Sequence, residues 1–300
     1  MSTIDDLKRI VTGRVIENEP MAPYTTLGVG GPADYFVEAP NEDELSDLML
    51  YMSEHEIPWM VIGDGANLLV SDKGIRGVVI KLVGEFTSIT VQGRRIVAGS
   101  AARISKVADM AAKNNLSGLE GVGTVPGSVG GAIVMNAGTH RGYIDEVTEG
   151  VRAVTSTGEK IALSRDKCGF TYRNSRFQYD KSLIITYAVF KMKPGDGTAI
   201  AANLEAVRKH RAETQPQGKS AGCFFKNPTG LSAGKLIDGA GCKGMREGGA
   251  VVSEIHSNFI MNAHNATASD LYTLAEKVRK LVKDIQGIDL EYEVRRVGQW

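Results

Sequence analysis

Cysteine is scarce in this chain: Cys168, Cys223 and Cys242 are the only three, far apart and odd in number. They form neither a disulfide framework nor a metal-ligand spacing, so a reduced, cytoplasmic protein without a bound metal is expected. Long apolar runs are missing too, and none approaches the length that crosses a bilayer. There is no excess of charge of either sign. With 35 basic and 35 acidic residues, electrostatic attraction to nucleic acid or to anionic lipid is not expected. The opening Met1-Ser-Thr-Ile-Asp-Asp has no basic segment followed by an apolar one, so a secretory signal is not expected. Internal repeats and low-complexity tracts are absent. What the chain does have is glycine, 35 residues of it, gathered in clusters. Its 300 residues exceed what one hydrophobic core usually organises, which predicts two or three domains.

Three glycine clusters carry the chemistry. The first follows a predicted strand, Trp59-Met-Val-Ile62, and reads Gly63-Asp-Gly-Ala-Asn-Leu-Leu69. Successive glycines let backbone N–H groups converge on phosphate oxygens, and Asn67 offers a further donor. A plain tight turn is the alternative, because no fixed nucleotide fingerprint is present. The second, Gly118 to Gly138, holds seven glycines among Val, Ile and Met. Such a segment must pack, and its lack of bulk suits a large flat ligand, a nucleotide or flavin. Close helix packing is the alternative there. The third, Gly218-Lys-Ser-Ala-Gly-Cys-Phe-Phe-Lys-Asn-Pro228, sets a thiol, a cation and an amide together. Gly222 allows a backbone dihedral that a side chain forbids, and Phe224 and Phe225 are large anchors that would hold Cys223 rigidly.

Around these, Asn41 opens a predicted helix with Glu44 as its capping partner and Leu45, Leu48, Met49 and Met52 on one face. Helices are also expected near 103–115 and 199–213, and hairpins at 89–98 and 151–163. Cys168 to Phe177 carries Arg173 and Arg176 among aromatics; an arginine held by rings suits a carboxylate or phosphate, the alternative being a surface ion pair. A long helix bears Leu271, Leu274, Ala275, Val278, Leu281, Val282 and Ile285 on one face and stops at Gly287. Leu290 to Gly298 reads as a strand with Glu291, Glu293 and Arg295 on one side, a pattern that by itself suggests edge protection. His256 reads as structural. Lys193-Pro-Gly-Asp-Gly197 marks a domain boundary.

Taken in order, these motifs resemble the UDP-N-acetylenolpyruvoylglucosamine reductase (MurB) family. The match runs through 63–69, Val-Pro-Gly-Ser-Val-Gly-Gly-Ala at 125–132, Met-Asn-Ala-Gly at 135–138, Tyr-Arg-Asn-Ser at 172–175, 220–228, 248–254 and Glu-Tyr-Glu-Val-Arg at 291–295. The length, with no insertion after Gly142, resembles the shorter type II branch. The resemblance implies an α+β fold: a two-part FAD-binding region of the p-cresol methylhydroxylase/vanillyl alcohol oxidase type at 1–82 and 83–194, then a substrate-binding domain at 195–300. It implies non-covalent FAD, NADPH as reductant, and reduction of UDP-N-acetylglucosamine enolpyruvate to UDP-N-acetylmuramate in peptidoglycan synthesis, by a monomer. An oxygen-using flavin oxidase of the same superfamily and a non-catalytic nucleotide-binding module are the competing classes.

The same resemblance gives residue roles. Cys223 stands where the family has its proton donor, most often serine, and Arg173 and Glu293 stand on the carboxylate side of the developing enolate. Gly63, Gly65, Ala66, Asn67 and Leu68 would cradle FAD, with Thr124, Pro126, Gly127, Ser128, Gly130, Gly131, Asn136 and Ala137. Lys226, Asn227 and Arg295 would meet the uridine diphosphate part, and Lys243 and Glu254 are further candidates. Two departures stand out. Asp64 and Ala66 replace a glycine and a serine of the usual first loop, which shifts the load there to backbone N–H groups, and cysteine replaces serine at 223.

Overall fold

The computed structural model describes residues 3–300. The elements begin with α1 (Thr3–Ile10), β1 (Val15–Pro20), β2 (Pro32–Ala39), α2 (Glu42–Glu54), β3 (Trp59–Ile62), β4 (Leu68–Val70) and β5 (Ile75–Leu82). Next come β6 (Ile89–Gln92), β7 (Arg95–Gly99), α3 (Ile104–Lys113), β8 (Leu116–Ser117), α4 (Val129–Met135), β9 (Gly138–Thr139) and β10 (Gly142–Tyr143). β11 (Thr148–Thr155), β12 (Lys160–Ser164), β13 (Leu183–Lys191) and β14 (Lys193–Pro194) lead to α5 (Gly197–Thr214). The last third holds β15 (Ser220–Cys223), α6 (Ala233–Gly239), β16 (Arg246–Glu247), β17 (Ala250–Val252), β18 (Phe259–Asn262), α7 (Ala268–Gln286) and β19 (Arg295–Val297).

These pack into two units. The first takes the chain up to Glu17, Tyr35–Asp64 and Gly77–Lys209; the second takes Asn18–Asp34, Gly65–Arg76 and His210–Trp300. In the first unit an antiparallel sheet of order β12-β11-β13-β7-β6 packs on α3 and α4 through Ile96, Val107, Ile133, Ala188 and Phe190. A second core joins α1 and α2 to β5 through Leu7, Leu45, Leu48, Met49, Met52, Val78 and Ile80. The parallel pair β3–β5 aligns Trp59 with Val78 and Ile62 with Lys81, and delivers the chain to Gly63. As expected, Asn41 caps α2 by accepting from the Glu44 N–H at 2.9 Å. The return bond differs, running from the Asn41 amide to the Glu44 carboxylate, while that carboxylate also takes the Thr12 N–H. The hairpins and both other helices fall where periodicity put them. The helix Val129–Met135 inside the second glycine cluster was not expected.

In the second unit the antiparallel sheet β15-β18-β17-β16 lies against α7, which buries Leu271, Leu274, Ala275, Val278 and Val282. Ile285, on the same face by angle, is 58% exposed, since the buried stripe ends at Val282. Gly287 closes the helix at φ +71°. The C-terminal segment is less regular than its alternation suggests. Only Arg295–Val297 form a ladder, parallel to β4, and Tyr292 makes one isolated bridge to Phe225.

At the start of α7 a capping box closes: Asp270 N–H donates to Thr267 Oγ1 at 3.0 Å and Thr267 N–H donates to Asp270 Oδ2 at 3.0 Å. Gly249 N–H adds a third bond to Asp270 at 3.3 Å. The Thr267 N–H, first among these causes, holds the Asp270 carboxyl below its ordinary range. A depressed carboxyl stabilises the fold above its unfolded pKa, and that stability is lost as pH falls through the lower, folded value. Asp270→Asn is therefore expected to cost about 1 kcal/mol at neutral pH and to flatten the acid limb of the Tm–pH curve below about pH 4. Calorimetry across pH 2–7 checks this; parallel acid limbs in the two proteins would refute it.

Candidate functional site

The first unit forms a glycine cradle. Gly63, at the end of β3, has room for nothing larger, because a Cβ there would lie 2.5 Å from Ser128 Oγ. Its carbonyl accepts from Lys81 Nζ at 3.0 Å. Gly127 takes φ +124°, after which Ser128 caps α4 by accepting from the Gly131 N–H. Gly130 N–H donates to Ser100 O at 2.8 Å, and a Cβ on Gly130 would come within 3.0 Å of Ser100 Cβ. Two hydroxyl oxygens of this unit, Thr124 Oγ1 and Ser100 Oγ, are buried without a hydrogen-bond partner. Buried hydroxyls left unmatched cost free energy unless a ligand completes them. Glycines that exclude side chains beside orphaned hydroxyls fit a flat, polar cofactor such as a flavin nucleotide. Pro126 and Gly131 are exposed here and Ala137 is buried. Asp64, the departure from the family's first loop, lies 3.7 Å from Arg103 Nε, a solvent-screened pair of small energetic weight.

Asn136 turns the end of α4 in the left-handed region, φ 42°. Its amide is already engaged, donating to Thr171 O at 3.0 Å and accepting from Asp145 N–H at 3.3 Å. It thereby ties the cradle helix to the turn Thr171-Tyr172-Arg173-Asn174. That turn is closed by Thr171 and Asn174 exchanging backbone bonds of 3.0 and 3.1 Å, and Arg173 sits in it at φ +53°. Positive φ at the third turn position is where glycine is ordinarily required. The Arg173 guanidinium lies 5.4 Å from the Tyr172 ring centre and 5.8 Å from that of Tyr143. Arg176 is different: it pairs with Asp180 at 2.8 Å, the surface ion pair that was its alternative reading.

The second unit gathers Asn67, Leu68, Lys226, Glu293 and Arg295 on one backbone framework. Gly65 takes φ +60°, and a Cβ there would strike Tyr24 O at 2.1 Å. Asn67 then spends its side-chain amide on Glu293 O at 3.0 Å and its own carbonyl on the Arg295 N–H at 3.0 Å, while Leu68 opens the ladder to Arg295. Glu293 N–H donates to Phe224 O at 2.9 Å, and Lys226 N–H donates to Glu291 O at 2.8 Å. Phe224 and Phe225 are each 1% exposed, with Phe225 stacked on Tyr292 at 5.1 Å, so the anchoring reading of this pair is correct. Cys223 stands just before them at a register shift in the β15–β18 pairing. Gly222 takes φ +75° with open space where its Cβ would be.

The three thiols are not equivalent. Burial pushes Cys168 up to about 11 and also raises Cys242, whereas Cys223 is half-buried. Burial lowers the pKa of Arg211, at the end of α5, and the charge of a Cys223 thiolate acts against that, which puts the two groups within electrostatic reach. Burial likewise lowers Arg295. Lys226 Nζ is 3.4 Å from Glu291 Oε2, and Asn227 Oδ1 accepts the Ala233 N–H at 2.9 Å. Lys243 pairs with Asp238 at 3.0 Å, and Glu254 crowds Gly244, whose Cβ would lie 2.3 Å from its carboxylate. These last two stand apart from the Asn67–Glu293 framework in the bonds they make.

Four contributors escaped the sequence reading: Ser100, Gln178, Arg211 and Asn258. Asn258 locks the chain after Cys223, its carbonyl taking the Phe224 N–H at 2.7 Å and its side chain exchanging bonds of 3.0 and 2.8 Å with Phe225. Its only signal was an asparagine at the head of an apolar strand.

Comparison with known proteins agrees with this geometry. Residues 214–297 match the UDP-N-acetylenolpyruvoylglucosamine reductase C-terminal domain, and residues 33–164 match an FAD binding domain. A UDP-N-acetylenolpyruvoylglucosamine reductase of Bradyrhizobium sp. is 43% identical over 95% of this chain and 93% of its own. That of Caldanaerobacter subterraneus subsp. tengcongensis is 41% identical over 99% of this chain and 98% of its own. The crystal structure of the Thermus caldophilus enzyme (MurB) superposes with a TM-score of 0.83 at 37% identity, covering 95% of this chain and 99% of that one. The α+β architecture, with an FAD-binding region ahead of a reductase-specific C-terminal domain, and full-length identity of this order show that the chain belongs to the UDP-N-acetylenolpyruvoylglucosamine reductase family.

Proposed function

We propose that Cys223 delivers the proton in this family's reaction and that Arg173 and Glu293 hold the substrate carboxylate. The reaction follows from membership: UDP-N-acetylglucosamine enolpyruvate is reduced to UDP-N-acetylmuramate for peptidoglycan synthesis, with FAD as carrier and NADPH as reductant. Bound FAD supplies hydride to the terminal carbon of the enolpyruvyl double bond. The carbon bearing the carboxylate is then an enolate and needs one proton. Cys223 supplies it: the S–H bond breaks, the C–H bond forms, and a thiolate remains until solvent reprotonates it. Thiols are stronger acids than alcohols, which favours this transfer.

The observation that carries this reading is the setting of Cys223. It is the half-buried thiol of the three, placed beside open space at Gly222, locked by Phe224, Phe225 and Asn258, and within reach of the Arg211 charge. A cation nearby stabilises the thiolate left behind. Arg173 suits the carboxylate because its planar fork matches it and its backbone is fixed. Glu293 is held at both its N–H and its carbonyl, and in its protonated form it would donate to the charge that develops.

For the cofactor, Gly63, Gly127, Gly130 and Gly131 would present backbone free of side chains, with the Thr124 and Ser100 hydroxyls as added partners. Lys226, Arg295 and the NH2 of Asn227 suit the diphosphate and uridine, with Lys243 and Glu254 as outer candidates. Among the described residues no helix is long and apolar enough to cross a membrane. Balanced charge gives no electrostatic pull toward nucleic acid; we infer a cytoplasmic monomer, and light scattering would check the monomer. The test of function is NADPH oxidation with and without UDP-N-acetylglucosamine enolpyruvate. Oxidation that requires the sugar nucleotide supports the assignment; substrate-independent oxygen consumption at the same rate opposes it.

A further inference from the structure

The turn that carries Arg173 is held in an unfavourable conformation, so something must hold it. Left-handed backbone is disfavoured for a residue with a Cβ, and it persists only where surrounding bonds over-determine it. Three side chains bind this turn to the end of α4. Asn136 takes Thr171 O at 3.0 Å, and Ser175 Oγ donates to Val134 O at 2.7 Å. Gln178 does both jobs at once: its Nε2 donates to Arg173 O at 2.8 Å and to Val134 O at 3.1 Å.

The geometry is readable from first principles. Val134 lies in the last turn of α4, where carbonyls have no intrahelical partner and accept from outside. Gln178 ends the short helical turn Arg176–Gln178, which is pinned to the core by Phe177 at 5% exposure. Its amide is thus fixed at its base and spans from the cradle helix to the carbonyl of Arg173 itself. Asn136 and Ser175 hold the turn's flanks, whereas Gln178 holds the residue whose dihedral is strained. Losing it would free the Arg173 peptide to rotate out of the left-handed region.

We propose that Gln178 is a positioning residue for the reduction of the enolpyruvyl group, acting by holding Arg173 in its left-handed conformation against α4. This rests on the assignment of Arg173 to the substrate carboxylate. The consequence is selective. Reduction of bound flavin by NADPH involves no developing enolate and should not depend on Gln178, whereas reoxidation by the enolpyruvyl sugar nucleotide should.

The experiment uses the flavin-loaded full chain, follows each half-reaction by stopped-flow absorbance, and records flavin content and Tm alongside. Gln178→Leu removes the donor, and Gln178→Glu keeps the size while replacing the donor with an acceptor, which covers the case that Leu fails to fold. Both are expected to slow flavin reoxidation roughly 10- to 100-fold, the order seen when a reacting group is misplaced by about an ångström. NADPH reduction and flavin content should stay within about twofold of the parent. In an Arg173→Ala background, Gln178→Leu should add no further loss, because the residue it positions is gone. Normal reoxidation in both Gln178 variants, with Arg173→Ala slow, would overturn the positioning role and leave Arg173 in place. Normal reoxidation in Arg173→Ala would remove the Arg173 assignment and this proposal with it. Equal slowing of both half-reactions, or flavin loss with a large fall in Tm, would reduce Gln178 to a structural bond and overturn the proposal as well.

Discussion

Cys223→Ala is expected to lower the rate of flavin reoxidation by the enolpyruvyl sugar nucleotide by roughly 10²- to 10⁴-fold, the usual worth of a positioned general acid. NADPH reduction of the flavin should be unaffected, because no proton from Cys223 is used there. Cys223→Ser should retain most of the activity, since its hydroxyl keeps an acidic proton at the same place. The fold should tolerate both changes. Gly222 faces open space and the rigidity of the segment comes from Phe224, Phe225 and Asn258, none of which is altered. Single-turnover kinetics on the three proteins checks the point. Full reoxidation by the alanine variant would keep the reductase and hand the proton to another group. The parent should also lose activity to dilute hydrogen peroxide while Cys223→Ser does not, because a half-exposed thiol is oxidised and an alcohol is not. Protection by saturating substrate would place that loss at Cys223 rather than at the buried Cys168 or Cys242.

Residue pattern alone made the covalently local features legible. The capped helix at Asn41, the hairpins, the Gly287 stop and the anchoring pair Phe224–Phe225 all depend on spacing that a single segment displays. Positive φ at Gly222 was similarly readable, because glycine takes a dihedral that a side chain disfavours. Long-range pairing was not. Asn67 looked like a spare donor beside a glycine turn, yet its amide is spent on Glu293, 226 positions away. Glu293 looked like edge protection on a strand, yet the backbone there is bonded to Phe224 and not to a regular ladder. Asn136 was read only as a cofactor contact, and pattern gave no sign that its side chain also braces the Arg173 turn. Polar side chains that serve distant backbone carry no periodic signal, so amides such as Asn258 and Gln178 went unread. Choosing Arg173 over Arg176 also lay beyond pattern, because spacing does not show that Arg176 pairs with Asp180 or that Arg173 sits at positive φ against tyrosine rings.

Arg173→Gly should separate stability from activity. Arginine at φ +53° carries a backbone penalty of about 1–2 kcal/mol that glycine does not. Glycine in turn loses about 0.5–1 kcal/mol through the freedom it gains when unfolded. The ring contacts at 5.4 and 5.8 Å are a further loss, worth roughly 0.5–1 kcal/mol at such a site. The terms nearly cancel, so the variant should melt within a few degrees of the parent while the Gln178 bond to the residue-173 carbonyl and the Thr171–Asn174 backbone pair persist. Activity should behave otherwise. A guanidinium aimed at a developing carboxylate charge is worth about 10²–10³ in rate, and none of that survives in glycine. Arg173→Lys should fall between, keeping the charge and losing the two-pronged geometry. Calorimetry beside reoxidation kinetics tests the pair of statements. A fall in Tm well beyond a few degrees would mean that the arginine side chain anchors the turn. An unchanged reoxidation rate would mean that its strained backbone serves something other than the substrate. A stable, slow variant is the result that strain maintained for catalysis requires, since a residue kept for stability alone would have been glycine at this dihedral.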